Sequence, residues 1–215
     1  MRSRQDIKFN AKEAMKQQRG TAIVTIILVA IIIFAGSLLG RIPPVMFGSL
    51  LVVLSIFFVD MVLSVNSAGI FTRIFMGQHT EASEVLTHFQ ISYLRKVGGM
   101  AWMLLLLYLW SMLLIIPGII KSYAYMMTPY ILAEHPNVPA REALKLSMRM
   151  THGHKMDIFV MHLSFIGWWI LSAFTFGILG IVFVGPYMST TSAGYYVELK
   201  QKALATGVVH PSELQ

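Results

Sequence analysis

Ala140-Arg141-Glu142-Ala143-Leu144 begins a short amphipathic segment in which Ala140, Ala143, Leu144, Ser147 and Met148 recur at helical spacing. The segment ends at His154-Lys155, and two long apolar runs follow, Met156 to Phe174 and Gly177 to Leu199. The same order occurs twice earlier. Ala11-Lys12-Glu13-Ala14-Met15 precedes Thr21 to Gly40 and Val45 to Asn66, and Ala82-Ser83-Glu84-Val85-Leu86 leads through Arg95-Lys96 to Val97 to Ile116 and Ile119 to Ala133. A membrane-spanning helix needs roughly 20 mostly apolar residues. The reading is therefore an all-α membrane protein with six transmembrane helices, arranged as three parallel-repeat hairpins, each preceded by a cytoplasmic amphipathic interfacial helix.

The repeats cover about 6–70, 80–134 and 139–199, within a single six-span domain at 1–202. Residues 203–215 read as a polar cytoplasmic tail, expected to be disordered. Arg41-Ile42-Pro43-Pro44 and Pro117-Gly118 are the expected outer turns, because proline ends a helix and fixes a turn. A cleavable leader ending near Ala35-Gly36-Ser37 is the rival reading of the first run, but it would leave the first hairpin with one limb. Pro129-Tyr130 and Pro186-Tyr187 sit late in the second and third copies, which strengthens the internal likeness.

Composition agrees with a lipid environment. The 215 residues are 56% hydrophobic and 13% charged, with mean hydropathy +0.66, whereas soluble domains are usually about 45–50% apolar. The net charge of +7 lies at the flanks of apolar runs, which argues for anionic headgroups and against nucleic acid. Of 17 Lys and Arg, all but Arg41 and Lys121 fall on the side holding both termini. By the positive-inside rule this is a multipass cell-membrane protein with cytoplasmic N- and C-termini. There is no cysteine, so thiolate and disulfide chemistry is excluded.

Asp60 is the first candidate for a polar intramembrane site, since a carboxylate at a helix centre costs about 2.5–3.5 kcal/mol on insertion scales unless it meets water or a partner. Asn66, one and a half turns on, is the nearest such partner. His162 lies two turns into the fifth run, after His154 and Asp157, a set suited to proton relay or to simple interfacial anchoring. Pro129 and Pro186 each remove a backbone donor inside a run, and with Tyr125 and Tyr130 they outline a polar pocket or mark plain kinks. His152-Gly153-His154 offers too few ligands for a metal site, and no cofactor is expected. The basic residues expected to meet lipid headgroups are Lys8, Lys12, Lys16, Arg19, Arg95, Lys96, Arg141, Lys145, Arg149 and Lys155.

The run Leu113-Leu114-Ile115-Ile116-Pro117-Gly118-Ile119-Ile120-Lys121-Ser122-Tyr123-Ala124-Tyr125, then Pro129-Tyr130-Ile131-Leu132-Ala133, resembles a bacterial family of uncharacterised membrane proteins called DUF975. Glu142-Ala143-Leu144 with Ser147, Gly153-His154-Lys155, Leu163-Ser164-Phe165-Ile166-Gly167-Trp168-Trp169 and Pro186-Tyr187-Met188 agree with it. The likeness covers about 71–199 and implies no activity and no site residues. It also looks distantly similar to the membrane portion attached to some bacterial glycerophosphodiester phosphodiesterases, without their hydrolase domain.

No nucleophile motif, phosphate loop or paired-carboxylate signature is present. The expected role is a non-catalytic, lipid-associated scaffold or accessory module. Its partners would be anionic leaflet lipids and a second copy or another membrane protein. The alternative is a small transporter or permease using Asp60 and His162.

Overall fold

The computed structural model describes residues 2–39, 46–87 and 92–214, and among these the regular structure is helical, with no strand. Helix α1 (Arg4–Gln17) starts where the Ser3 hydroxyl accepts from the Asp6 amide while the Asp6 carboxylate accepts from Ser3, a reciprocal cap that satisfies otherwise orphaned donors. After a break at Gln18 the chain continues as α2 (Arg19–Leu39), and α3 (Met46–Phe75) returns. The expected turn at Arg41-Pro43-Pro44 lies outside the described residues. Helices α4 (Glu84–Thr87), α5 (Tyr93–Leu113), α6 (Ile115–Tyr125), α7 (Thr128–Glu134) and α8 (Ala140–Met150) follow. The chain closes with α9 (Lys155–Leu163), α10 (Ile166–Phe174), a π-helical stretch Gly180–Val184, and α11 (Gly185–Ala205). Among the described residues, three stretches are long and apolar enough to cross a membrane by length and composition: Arg19–Gly36, Leu54–Phe75 and Lys155–Phe174.

Several boundaries differ from expectation, each for a backbone reason. The second amphipathic helix has only one regular turn, α4, and Phe89 of its apolar face lies outside the described residues. The second hairpin reverses at Leu114, whose backbone is extended, and Pro117 falls in the first turn of α6 instead of closing the preceding helix. A proline is tolerated in a first turn because its missing N–H would have been orphaned there anyway. Gly118 then lets the two limbs meet, since a Cβ there would stand 2.6 Å from the Ser111 hydroxyl. Pro129 and Pro186 likewise occupy the first turns of α7 and α11, so they restart helices and do not interrupt them. Ahead of Pro186 the π-helical turn widens the backbone, with the Gly185 amide bonded to the Gly180 carbonyl. The tail is ordered: α11 runs to Ala205, and the 3-10 turn Pro211–Leu214 folds back on α8, with Val209 buried.

Burial divides the molecule in two. Every residue of α11 from Thr190 to Leu199 is buried, packed by α1, the second half of α3, and α8. Ile7, Ala11 and Met15, the apolar face of α1, are at most 2% exposed in this core. Gly194 permits the closest approach, because a Cβ there would lie 2.5 Å from the Phe75 ring. Helix α7 packs on α3, α5 and α8 and adds Ile131 and Leu132. In contrast, Ile31, Leu105, Leu109, Met112, Ile115, Ile116, Trp169, Ile170 and Phe174 all face outward. The two amphipathic helices α1 and α8 therefore bury their apolar faces against the chain's own helices.

Candidate functional site

The candidate polar residues do not converge on one point. Asp60 stands exposed on α3, and among the described residues no hydrogen bond or ion pair reaches it. Asn66, six residues on, is turned into the protein, where it accepts from Lys96 Nζ at 2.7 Å and donates to the Val85 carbonyl at 2.7 Å. It is not Asp60's partner. Asp157 pairs with His154 Nδ1 at 3.3 Å, and Lys202 Nζ lies 2.7 Å from His154 Nε2. His162, five residues beyond Asp157, packs instead on Tyr123 with ring centroids 5.7 Å apart. The sequential set His154, Asp157 and His162 thus forms no relay in this arrangement.

His162 and Tyr130 do meet across one groove of about 610 Å³, with Ser172, Ser189 and Ser192 and the small residues Gly177, Gly180 and Gly185 along it. Tyr130 stacks on Tyr196 at 5.3 Å. Tyr125 is buried elsewhere, beside Lys121, whose ammonium sits 4.7 Å over the Trp110 ring and 5.9 Å over that of Tyr125. Among the described residues no group of three His, Asp or Glu is placed to hold a metal ion.

The basic residues split into two sets. Lys12, Lys16, Arg19, Arg141 and Lys145 are exposed, Lys16 pairing with Glu13 at 2.7 Å and Lys145 with Glu142 at 3.2 Å. Arg141 covers the Trp102 ring at 4.9 Å. Of the remaining residues, Lys8, Arg149, Arg95 and Lys96 are engaged with the protein. Lys8 donates to Ser164 at 3.0 Å and lies over the Phe165 ring, and Arg149 holds Glu213 of the tail at 2.7 Å. Lys155, at the start of α9, is half-buried.

Arg95 and Lys96 are furthest from the headgroup role, because α5 begins against α3 and α7 and carries both inward. Arg95 donates to the Val138 carbonyl at 2.8 Å and the Leu132 carbonyl at 2.5 Å, and Lys96 is 5% exposed. Burial, then the neighbouring Arg95 charge, pushes the Lys96 ammonium down to about 8. These two cations and Arg73 line a cleft of about 420 Å³, together with Asn66, Thr72 and Glu134. Arg73 is ion-paired with Glu84, whose net pKa is lowered: burial alone would raise it, but hydrogen bonds from the Glu81 amide, Thr80 and Arg73 prevail.

Glu134 is held by Lys200 Nζ at 2.6 Å and the Tyr196 hydroxyl at 2.5 Å, with His135 Nε2 3.4 Å away. Burial alone would raise its carboxyl, but these donors pull it down to about 2. The cleft was not legible as a site in the sequence. Arg95-Lys96 looks like any basic flank of an apolar run, and only the docking of α5 on α7 turns it inward.

The sequence model of the family described as Protein of unknown function (DUF975) matches residues 85–203. The search of curated proteins and that of solved structures returned no match. With more than half of its length matched, the chain belongs to the DUF975 family.

Proposed function

We propose that this DUF975 protein is a non-catalytic membrane module that crosses the bilayer six times and gathers anionic lipid at its cytoplasmic face. One observation carries the reading: large apolar side chains face outward along α2, α5, α6 and α10, while α1, α7, α8 and the second half of α11 bury a separate core. A soluble monomer rarely leaves contiguous apolar patches beyond a few hundred Å² uncovered, and lipid tails are the natural cover. Helix α2 is about 31 Å long at 1.5 Å per residue, close to the hydrocarbon thickness of about 30 Å. Helix α6, at about 16 Å, is half that. Its limb is completed through α7 and favours a locally thinned bilayer.

Lys12, Lys16, Arg19, Arg141 and Lys145 are exposed beside the buried core, on the side that the charge bias assigns to the cytoplasm. Each such residue near an anionic surface contributes about 1 kcal/mol. The test is lipid retention by the full chain, extracted with neutral detergent from vesicles of equimolar phosphatidylglycerol and phosphatidylcholine. Co-purifying phosphatidylglycerol should be enriched, and changing the five residues to Gln should abolish the enrichment. Equal retention by wild type and variant removes the reading.

A second reading, a small transporter or permease, draws on the groove shared by His162, Tyr130 and three serines. Asp60 lies outside that groove, so His162→Ala is the sharper probe. Loss of a measured flux in proteoliposomes with the fold intact would favour this reading over the first.

A further inference from the structure

The cleft between the start of α5 and the α3–α7 pair has a charge pattern that the scaffold role does not use. Among the described residues no carboxylate lies within ion-pair distance of Arg95, and its acceptors are neutral carbonyls. Its Nε is buried and makes no hydrogen bond among the described residues. Lys96, nearly enclosed, donates to Asn66 Oδ1 at 2.7 Å at the wall of the cleft. The two carboxylates of the wall are already engaged, Glu84 with Arg73 and Glu134 with Lys200. Adjacent desolvated cations repel each other and raise the cost of keeping either charged, a cost that an anion between them removes. At about 420 Å³ the cleft is within the size range of small-molecule pockets, about 300–1,000 Å³.

We propose that this cleft is a discrete binding site for a phosphate group, held by Arg95 and Lys96 with Arg73 at its rim. Arg supplies a planar fork suited to two phosphate oxygens, with Lys as a point charge beside it. The phosphate arrives either on a lipid headgroup or as a free ion. The site does not depend on the exposed basic residues of α1 and α8, so it stands or falls separately from lipid gathering at the surface.

The experiment is titration calorimetry of the full chain in neutral detergent at pH 7. One arm uses inorganic phosphate and the other dihexanoyl phosphatidylglycerol. Saturable binding of the lipid alone assigns the site to a headgroup, and saturable binding of inorganic phosphate assigns it to the free ion. Both outcomes require at least tenfold weakening in Lys96→Gln and Arg95→Gln, with binding unchanged in Lys202→Gln, an exposed lysine outside the cleft.

Because those two cleft variants disturb buried contacts, a wild-type measurement accompanies them. Among the described residues, Arg73, Arg95, Glu84 and Glu134 are the charged groups that line the cleft with Lys96, whose ammonium is pushed down to about 8 by burial and the Arg95 charge. Anion binding at pH 8.5 should therefore take up protons, read as a dependence of the heat on the buffer's ionisation enthalpy. Absence of saturable binding by wild type in both arms, or binding with neither proton uptake nor loss in the variants, overturns the site.

Discussion

The Ser147 hydroxyl donates to the Ala124 carbonyl at 2.8 Å, joining α8 to the point where α6 ends. The same oxygen accepts from the Met127 amide at 3.1 Å, so one side chain serves both sides of the break ahead of Pro129. The Thr151 hydroxyl, which has the Ser147 carbonyl at 2.8 Å, also stands 3.2 Å from the Ala124 carbonyl as an alternative donor. Proline-related breaks at membrane depth persist where neighbouring Ser or Thr groups satisfy the freed backbone.

Ser147→Ala should therefore lower stability by about 1–3 kcal/mol, the usual cost of leaving buried polar groups unsatisfied. Thermal melting of the detergent-solubilised chain checks this. The double variant Ser147→Ala, Thr151→Val should lose more than the two single losses added, because each hydroxyl partly covers for the other. Simple additivity would show that the two do not share the carbonyl.

The helical class, the amphipathic helices α1 and α8 and three long apolar stretches were legible because they rest on periodicity and length, which are local properties. What the amphipathic faces meet was not. Lys8, Lys12, Lys16 and Arg19 look equivalent along one face, yet Lys8 alone reaches across to Ser164 and Phe165. Arg149, expected at lipid, is occupied by Glu213, 64 residues away. Ser147 was legible as one more position on an apolar face. Its role depends on a helix break 20 residues earlier. Long-range docking, which decides such partners, leaves no periodic trace.

Gly194 and Phe75 should show compensating substitution. A methyl at 194 would come within 2.5 Å of the Phe75 ring and 3.0 Å of Ile7. Gly194→Ala is expected to destabilise by about 1–3 kcal/mol through overpacking. Phe75→Leu in the same chain should recover part of that loss. If the double variant is no better than Gly194→Ala alone, the clash lies elsewhere.

Glu134 gives a pH dependence with a definite sign. Its folded carboxyl lies near 2, below the ordinary 4.5, so the charged form is favoured in the folded state. The associated stabilisation is complete above pH 4.5 and fades as pH falls toward 2. Allowing for the 26% of the side chain open to solvent, it is on the order of 2 kcal/mol. Glu134→Gln should melt lower than wild type at pH 6, and the difference should shrink between pH 4.5 and 2. A difference that is constant with pH would mean that the Lys200 and Tyr196 contacts do not depend on the carboxylate charge.

Phe176 decides whether the third hairpin reaches the far side. It is 98% exposed and left-handed at φ 51, followed by Gly177 at φ 84, so the reversal falls on these two residues. The tip Phe174-Thr175-Phe176-Gly177-Ile178 carries no charge, and only its exposure to outer water distinguishes a crossing from a hairpin that stops within the bilayer. The native chain has no cysteine, so single substitutions report cleanly. In intact cells a membrane-impermeant maleimide should label Phe176→Cys, while His210→Cys should react only after permeabilisation. Labelling of Phe176→Cys only after permeabilisation would place that turn on the inner side, and protection both before and after would place it in lipid. Either result reduces the crossings below the proposed six, because the limb formed by α9 and α10 and the limb that returns through α11 would then enter and leave through the same leaflet.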